Sequence, residues 1–300
     1  MLITKIINKI FRTTLIMFLI LTVFTITNES KEKVLRTNLE INNIKDIDKT
    51  KLYLLSNNNY LVETNVYINS DKLEDKINKI IEYLKINNNK IPKGLKGYLT
   101  KEIKINNINL EDNDIKINFS KEFLNIKDKE LVIEGLVYSL LNLDEINSIE
   151  VLVENNYLEN YEYKLNKNIG INKQYILKNR KDVNKINLYY YNKINNIEYL
   201  TPVTKYINDK RKKIEIILDE LINNIPNNLI SYISDDIKLN SYREENELMV
   251  LDIYSNLVDE NDNISTKINS LIVESIFENY DVNTILIQKN GEKTDYFKKK

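Results

Sequence analysis

Chemistry at a protein site draws on nucleophiles, bases and metal ligands, and this chain of 300 residues withholds the commonest of them. It has no Cys and no His. That removes thiolate nucleophiles, thiolate metal sites, disulfides and the side chain most used as a base near neutral pH. Asp, Glu, Lys, Ser and Tyr remain. Asp112 and Asp114 stand two apart in LEDND, and Asp235 and Asp236 are adjacent. Asp and Asn suit turns, so both pairs are expected to be solvated turns, with Asp112 and Asp114 at a hairpin tip. DENDN at 259–263 has the acidic spacing of a calcium loop, yet it lacks Gly at the sixth position and Glu at the twelfth, which is Ser270. Both are needed there, the Gly for the sharp turn and the Glu as bidentate ligand. The stretch is expected to lead into a helix with Asp262, Asn263 or Ser265 as cap. Ser120 and Lys121 have the types of a nucleophile pair, but neighbours on a strand point to opposite faces. The five glycines, at 94, 97, 135, 170 and 291, form no phosphate-binding loop. No catalytic, cofactor-binding or metal-ligating residue is assigned, and the chain is read as not an enzyme.

The formal net charge is −1. A nucleic-acid partner needs a basic face that displaces phosphate counterions, so none is expected. The 20 Tyr could offer stacking platforms, densest at Tyr189, Tyr190 and Tyr191, which read as a packing or partner surface. Asn, Ile, Lys and Tyr crowd the chain while Ala and Trp are absent, a bias that makes short matches weak on their own.

Residues 1–30 stand apart. Lys5, Lys9 and Arg12 precede an uncharged run from Thr13 to Thr27. Basic residues before an apolar run favour a cytoplasmic N-terminus. No A-x-A-like cleavage site follows, because there is no Ala, and a lipid anchor on Cys is closed. A transmembrane signal anchor is expected, in preference to a cleaved signal or a buried helix. The protein would then lie in the cell membrane with one pass and its domains outside. Residues 31–50 read as a spacer.

The elements that must position any surface come in two matching sets. Ile146-Asn147-Ser148-Ile149 is answered by Val282-Asn283-Thr284-Ile285 at a shift of 136. The match extends. Val132, Leu136, Val137, Leu140 and Leu141 face Ile268, Ile272, Val273, Ile276 and Phe277 with the same helical spacing. Ile77, Ile80, Ile81 and Leu84 face Ile214, Ile217, Leu218 and Leu221. Pro92 meets Pro226 in a chain with three prolines, and the alternating Ile115, Ile117 and Phe119 meet Met249, Leu251 and Ile253. Codon bias can set Ile opposite Ile, but not helix period opposite helix period and strand period opposite strand period in one order. A tandem duplication follows.

The predicted class is α+β: two small β-α-β-β-α-β domains in tandem, helices on one face of each sheet. Domain 1 spans 51–160, with strands at 51–67, 101–108, 114–119 and 148–154 and helices at 71–86 and 129–143. Domain 2 spans 187–297, with strands at 187–206, 236–242, 247–254 and 283–289 and helices at 209–223 and 264–279. Residues 161–186 read as a linker, with an added edge strand near 157–165. Asp71 with Glu74 is the expected start of the first helix. Ile149, Val151 and Val153 should face a core, and Lys289 replaces the third of these in domain 2, so that strand end should be exposed or at an edge.

The first unit resembles the GerMN domain of sporulation and spore-germination proteins. The likeness rests on Ile115, Ile117, Asn118, Phe119, Ser120 and Phe123; on Val137, Tyr138, Ser139 and Leu140 in LVYSLLNL; and on Ile146, Ile149, Val151 and Val153. The second unit departs at Tyr254 and Glu274, where the family pattern has Ser and Tyr. The resemblance implies an extracytoplasmic scaffold or assembly factor of sporulation or germination. Its expected partners are other envelope or sporulation proteins and the membrane, and an oligomer is among the implied assemblies. Binding to peptidoglycan is the alternative. The family transfers no catalytic residue and no cofactor.

Overall fold

A computed structural model describes residues 49–86, 88–179, 181–254, 262–289 and 291–299. The expected anchor in residues 1–30 and most of the DENDN stretch lie outside the described residues. Among those described, no helix is long and apolar enough to cross a membrane.

The α+β class is what the structure has. In the first unit β1 (Lys49–Ser56) and β2 (Leu61–Tyr67) lead to α1 (Leu73–Tyr83) and the short β3 (Leu95–Lys96). Then come β4 (Ile105–Glu111), β5 (Asp114–Phe119), α2 (Lys129–Leu140), β6 (Ser148–Val153) and β7 (Asn156–Tyr157). The connection adds β8 (Gln174–Ile176). The second unit runs β9 (Val183–Ile194), β10 (Ile197–Asn208), α3 (Lys213–Asn223), β11 (Lys238–Glu245), β12 (Leu248–Tyr254), α4 (Asp262–Phe277), β13 (Thr284–Lys289) and β14 (Glu292–Lys298). The sheets have orders β2-β1-β3, β4-β5-β6-β7, β8-β10-β9 and β11-β12-β13-β14.

The duplication is visible in the register. β5 and β6 pair in parallel from Asp114 with Ser148 to Phe119 with Val153. β12 and β13 do the same from Leu248 with Thr284. A parallel pair needs a crossover, supplied by α2 and α4. The Asn147 N–H donates to Asn113 O at 2.7 Å, and the Asn283 N–H donates to Glu247 O at 2.9 Å. Each bond ties the turn after the crossover helix to the tip of the neighbouring hairpin.

Four readings are corrected. Residues 51–67 and 187–206 are hairpins, not single strands. In the second, Asn195 and Asn196 both have positive φ and form the two-residue loop between Ile194 and Ile197. Asn tolerates that conformation and is favoured in such loops. The helix expected from Asp71 starts at Leu73, with Lys72 as a cap residue that makes no side-chain bond. The edge strand near 157–165 shrinks to β7 and one bridge from Leu165 to Ile149. Lys289 is not at a sheet edge, because β14 covers β13.

Each unit has its own core. Ile77, Ile80 and Ile81 of α1 pack with Leu52 and Leu54 of β1, Ile115 and Ile117 of β5, and Ile149 and Val151 of β6. α2 is buried on every side, from Val132 to Leu140. A helix that is apolar all round is an inner helix. The connecting segment covers its outer side, with Leu158, Leu165 and Ile171 joining the same core. Gly135 lets α2 approach so closely that an added Cβ would lie 2.3 Å from Tyr98 Oη.

Candidate functional site

Three surfaces among the described residues are built by residues of several elements. One is the joint between the units. β1–β2 and β9–β10 meet so that equivalent residues touch. Asn192 Nδ2 donates to Ser56 Oγ at 3.3 Å across 136 residues, which is the repeat distance. Tyr53 and its counterpart Tyr189 lie against one another, both buried. Burial raises both phenol pKa values well above the ordinary range. A contact of each residue with its own equivalent is the signature of an isologous, two-fold interface. Val62, Ile194 and Tyr199 form a small apolar cluster here. Asn172 clips the two hairpins together. Its Nδ2 donates to Leu61 O at 2.8 Å and to Pro202 O at 2.7 Å, and its Oδ1 accepts from the Leu61 N–H at 2.9 Å.

Next to this clip is an acid-lined depression of about 300 Å³ that includes Asp128, Glu130, Glu134 and Lys173. The Glu134 carboxylate is buried, accepts from the Asn172 N–H at 2.8 Å and faces Lys173 Nζ at 3.1 Å. Desolvation pushes its pKa up to about 7, against the pull of Lys173.

The third surface is a groove of about 740 Å³ on the first unit, between the end of β2, the C-terminal half of α1 and the loop after it. Lys79, Lys85, Lys90 and Lys101 line it with one acid, Glu82. Lys85 pairs with Glu82 at 2.5 Å. Lys79 Nζ donates to the Asn69 carbonyl and forms no ion pair among the described residues. Lys90 and Lys101 are exposed.

The residues singled out in the sequence are not brought together. Asp112 and Asn113 form the positive-φ tip between β4 and β5. Asp114 begins β5 and accepts from Ser148 Oγ and Lys164 Nζ, which lower its pKa, Lys164 foremost. Asp235 and Asp236 are an exposed turn before β11. Ser120 is half of a structural bond, its Oγ accepting from the Lys104 N–H at 3.1 Å. Lys121 opens a short 3-10 turn, its N–H held by Glu154. Tyr189, Tyr190 and Tyr191 are all buried: Tyr189 at the joint, Tyr190 donating to Glu220 O, Tyr191 edge-on to Tyr232. Among the described residues, no group of three Asp or Glu is placed to hold a metal ion.

Sequence reasoning missed Asn172, the groove lysines and a buried ion pair in which Lys205 Nζ donates to Glu220 at 2.8 Å. Only the last left a trace, a Lys inside the otherwise uncharged apolar register of β10.

Residues 51–159 match the family model described as Germane: Sporulation and spore germination. The tandem GerMN domains of the sporulation protein GerM from Bacillus subtilis align over 81% of this chain and 91% of that one, with a TM-score of 0.70 at 20% identity. In fold, the chain is similar to that tandem pair of GerMN domains. The first GerMN domain of the same protein, taken alone, aligns over 38% of this chain and 87% of that one at 20% identity, with a TM-score of 0.35. No curated protein sequence matches the chain. Within the GerMN framework, Tyr138 and Ser139 have separate tasks: the Tyr hydroxyl donates to Lys167 O at 3.0 Å and ties α2 to the connection, while Ser139 Oγ accepts the N–H of Tyr53. The second unit keeps the Ser, as Ser275, and replaces the Tyr by Glu274.

Proposed function

We propose that this chain is a non-enzymatic, membrane-anchored extracytoplasmic protein of sporulation or spore germination. It acts as a scaffold or assembly factor for an envelope complex through its tandem GerMN units. The observation that carries the reading is the isologous joint. Tyr53 against Tyr189, Ser56 against Asn192 and the Asn172 clip make one body of two copies of a domain. Their outward surfaces then stand at a fixed spacing, which suits holding partners in register. The Germane match over 51–159 supports the sporulation or germination setting. The uncharged run from Thr13 to Thr27 behind three basic residues supports the anchor.

Deletion of the encoding gene tests the reading. Fewer heat-resistant spores, or spores slow to germinate, are expected, together with co-purification of envelope proteins by the tagged full-length chain. A deletion strain with normal numbers of heat-resistant spores that germinate normally would sink it.

A second reading, a cell-wall binding module, is favoured by the basic groove of the first unit. Its measurement is retention of the full-length chain on purified peptidoglycan without any protein partner.

A further inference from the structure

The groove on the first unit carries more charge than the fold requires. Lys85 lies just beyond the C-terminal end of α1, where a cation complements the helix dipole, and it is matched by Glu82. Neither argument covers Lys90 and Lys101. They are exposed and converge on one concavity, and neither ammonium is bound by an acid among the described residues. The second unit shows that the fold stands without this set. The position of Tyr67 corresponds there to Tyr206, whose ring is stacked on Tyr175, and the position of Lys101 to Asp235, an acid. The charge is therefore a property of this surface and not of the domain.

The groove also has a stacking face. Tyr67 at the end of β2 is 65% exposed, and Ile86 on the other side is 37% exposed. An exposed ring, an amide (Asn69) and unpaired cations in a concave wall make a mixed surface, part apolar and part charged. A nucleic acid would need a longer basic face than a chain of net charge −1 provides. A flat bilayer meets a convex or planar patch better than a groove. A hydroxylated sugar ring with acidic substituents fits both the ring and the lysines.

We propose that this groove binds an anionic glycan, a sugar chain carrying carboxylate or phosphate groups. Tyr67 stacks on a sugar ring, and Lys79, Lys90 and Lys101 meet the charges. The assignment rests on the wall-binding reading and names the site and the chemistry for it.

The test uses the full-length chain in detergent micelles, sedimented with purified peptidoglycan sacculi that either keep their phosphate polymers or have been stripped of them. Retention is expected to fall as salt rises, because exposed charges are screened. K90E/K101E should weaken retention roughly tenfold or more, since two charge-assisted contacts are reversed. K121E/K238E, at exposed lysines outside the groove, should leave it unchanged. Equal thermal midpoints for the three proteins show that folding is intact. Retention on stripped sacculi assigns the carboxylates as the ligand groups, and retention only on unstripped sacculi assigns the phosphates. If K90E/K101E is retained as well as the parent, the groove assignment fails while the wall-binding reading stands. If the parent is retained on neither preparation, both fail. Preference for anionic phospholipid vesicles over both preparations overturns the glycan assignment.

Discussion

The N–H of Tyr53 in β1 donates to Ser139 Oγ in α2 at 3.0 Å, inside the core. β3 pairs with Leu55 and Ser56, so among the described residues Tyr53 faces an edge without a strand. The helix supplies the missing acceptor. Asn142 Nδ2 then bonds Lys51 O, the next group along the same edge. The second unit repeats both devices. Tyr189 N–H donates to Ser275 Oγ at 2.9 Å with the same separation of 86 residues, and Asn279 Nδ2 donates to Asn187 O. In each unit a helix closes the sheet edge that a strand leaves open.

Removing either hydroxyl leaves a buried N–H without a partner, which costs about 1–3 kcal/mol. S139A and S275A should therefore each lower the urea midpoint, by similar amounts. A loss in one variant and none in the other would show that the two edge caps are not equivalent.

Asn172 stands at φ +47°, a conformation that Asn tolerates and most side chains avoid. N172G keeps the backbone freedom and deletes the three side-chain bonds to Leu61 and Pro202. A loss of roughly 2–3 kcal/mol is expected, given partial replacement by water. Amide hydrogen exchange at Leu61 is the local readout. Unchanged protection there would mean that the clip does not hold the units together.

The pair Lys205–Glu220 is buried, with Lys205 also donating to Asn224 O and facing the Tyr190 ring at 5.4 Å. Burial lowers the pKa of Lys205 against the pull of Glu220. K205M leaves an uncompensated acid inside and should destabilise by about 3–5 kcal/mol. K205M/E220L removes both charges and should recover most of that loss. Chemical denaturation of the parent, K205M, E220L and K205M/E220L closes the cycle, and a double variant no better than K205M would show that the pair is not what the site needs.

Much of this was legible in the sequence because two periods repeat. Ile115, Ile117 and Phe119 alternate and are buried, and Ile77, Ile80, Ile81 and Leu84 form the inner stripe of α1 and its end. The hairpins were not legible. Asn195-Asn196 is a turn signal, but Asn is so common here that it does not stand out, and apolar residues run on both sides of it. β8 and β14 lie in polar segments without an alternating apolar pattern; β8 is ordered by pairing with the distant β10, Gln174 with Lys205, and β14 by folding back on β13, Asp295 with Ile287. The joint was hidden for another reason. A residue that touches its own equivalent leaves no pattern beyond the repeat itself. The groove needs Tyr67, Lys79 and Lys101 to converge from three separate elements, and no local spacing announces that.

Glu134 gives the fold a pH dependence of known sign. Its pKa rises from 4.5 to about 7 on burial. Above pH 7 the carboxyl is ionised both folded and unfolded, and the full desolvation penalty is present. Below 4.5 it is protonated in both states and the penalty vanishes. Between these limits the folded chain holds the extra proton, so this group's contribution to stability grows as pH falls from about 7 to 4.5. The gain is on the order of 2–3 kcal/mol at most, because Lys173 and the Asn172 N–H already offset part of the burial. Protonation also weakens the acceptor for Asn172, so the clip and the carboxyl are linked. E134Q has no charge to desolvate and should be more stable than the parent at pH 8, with the difference closing toward pH 5. Thermal unfolding of both proteins across that range measures it, and parallel curves would show that Glu134 is ionised at an ordinary pKa in the folded chain.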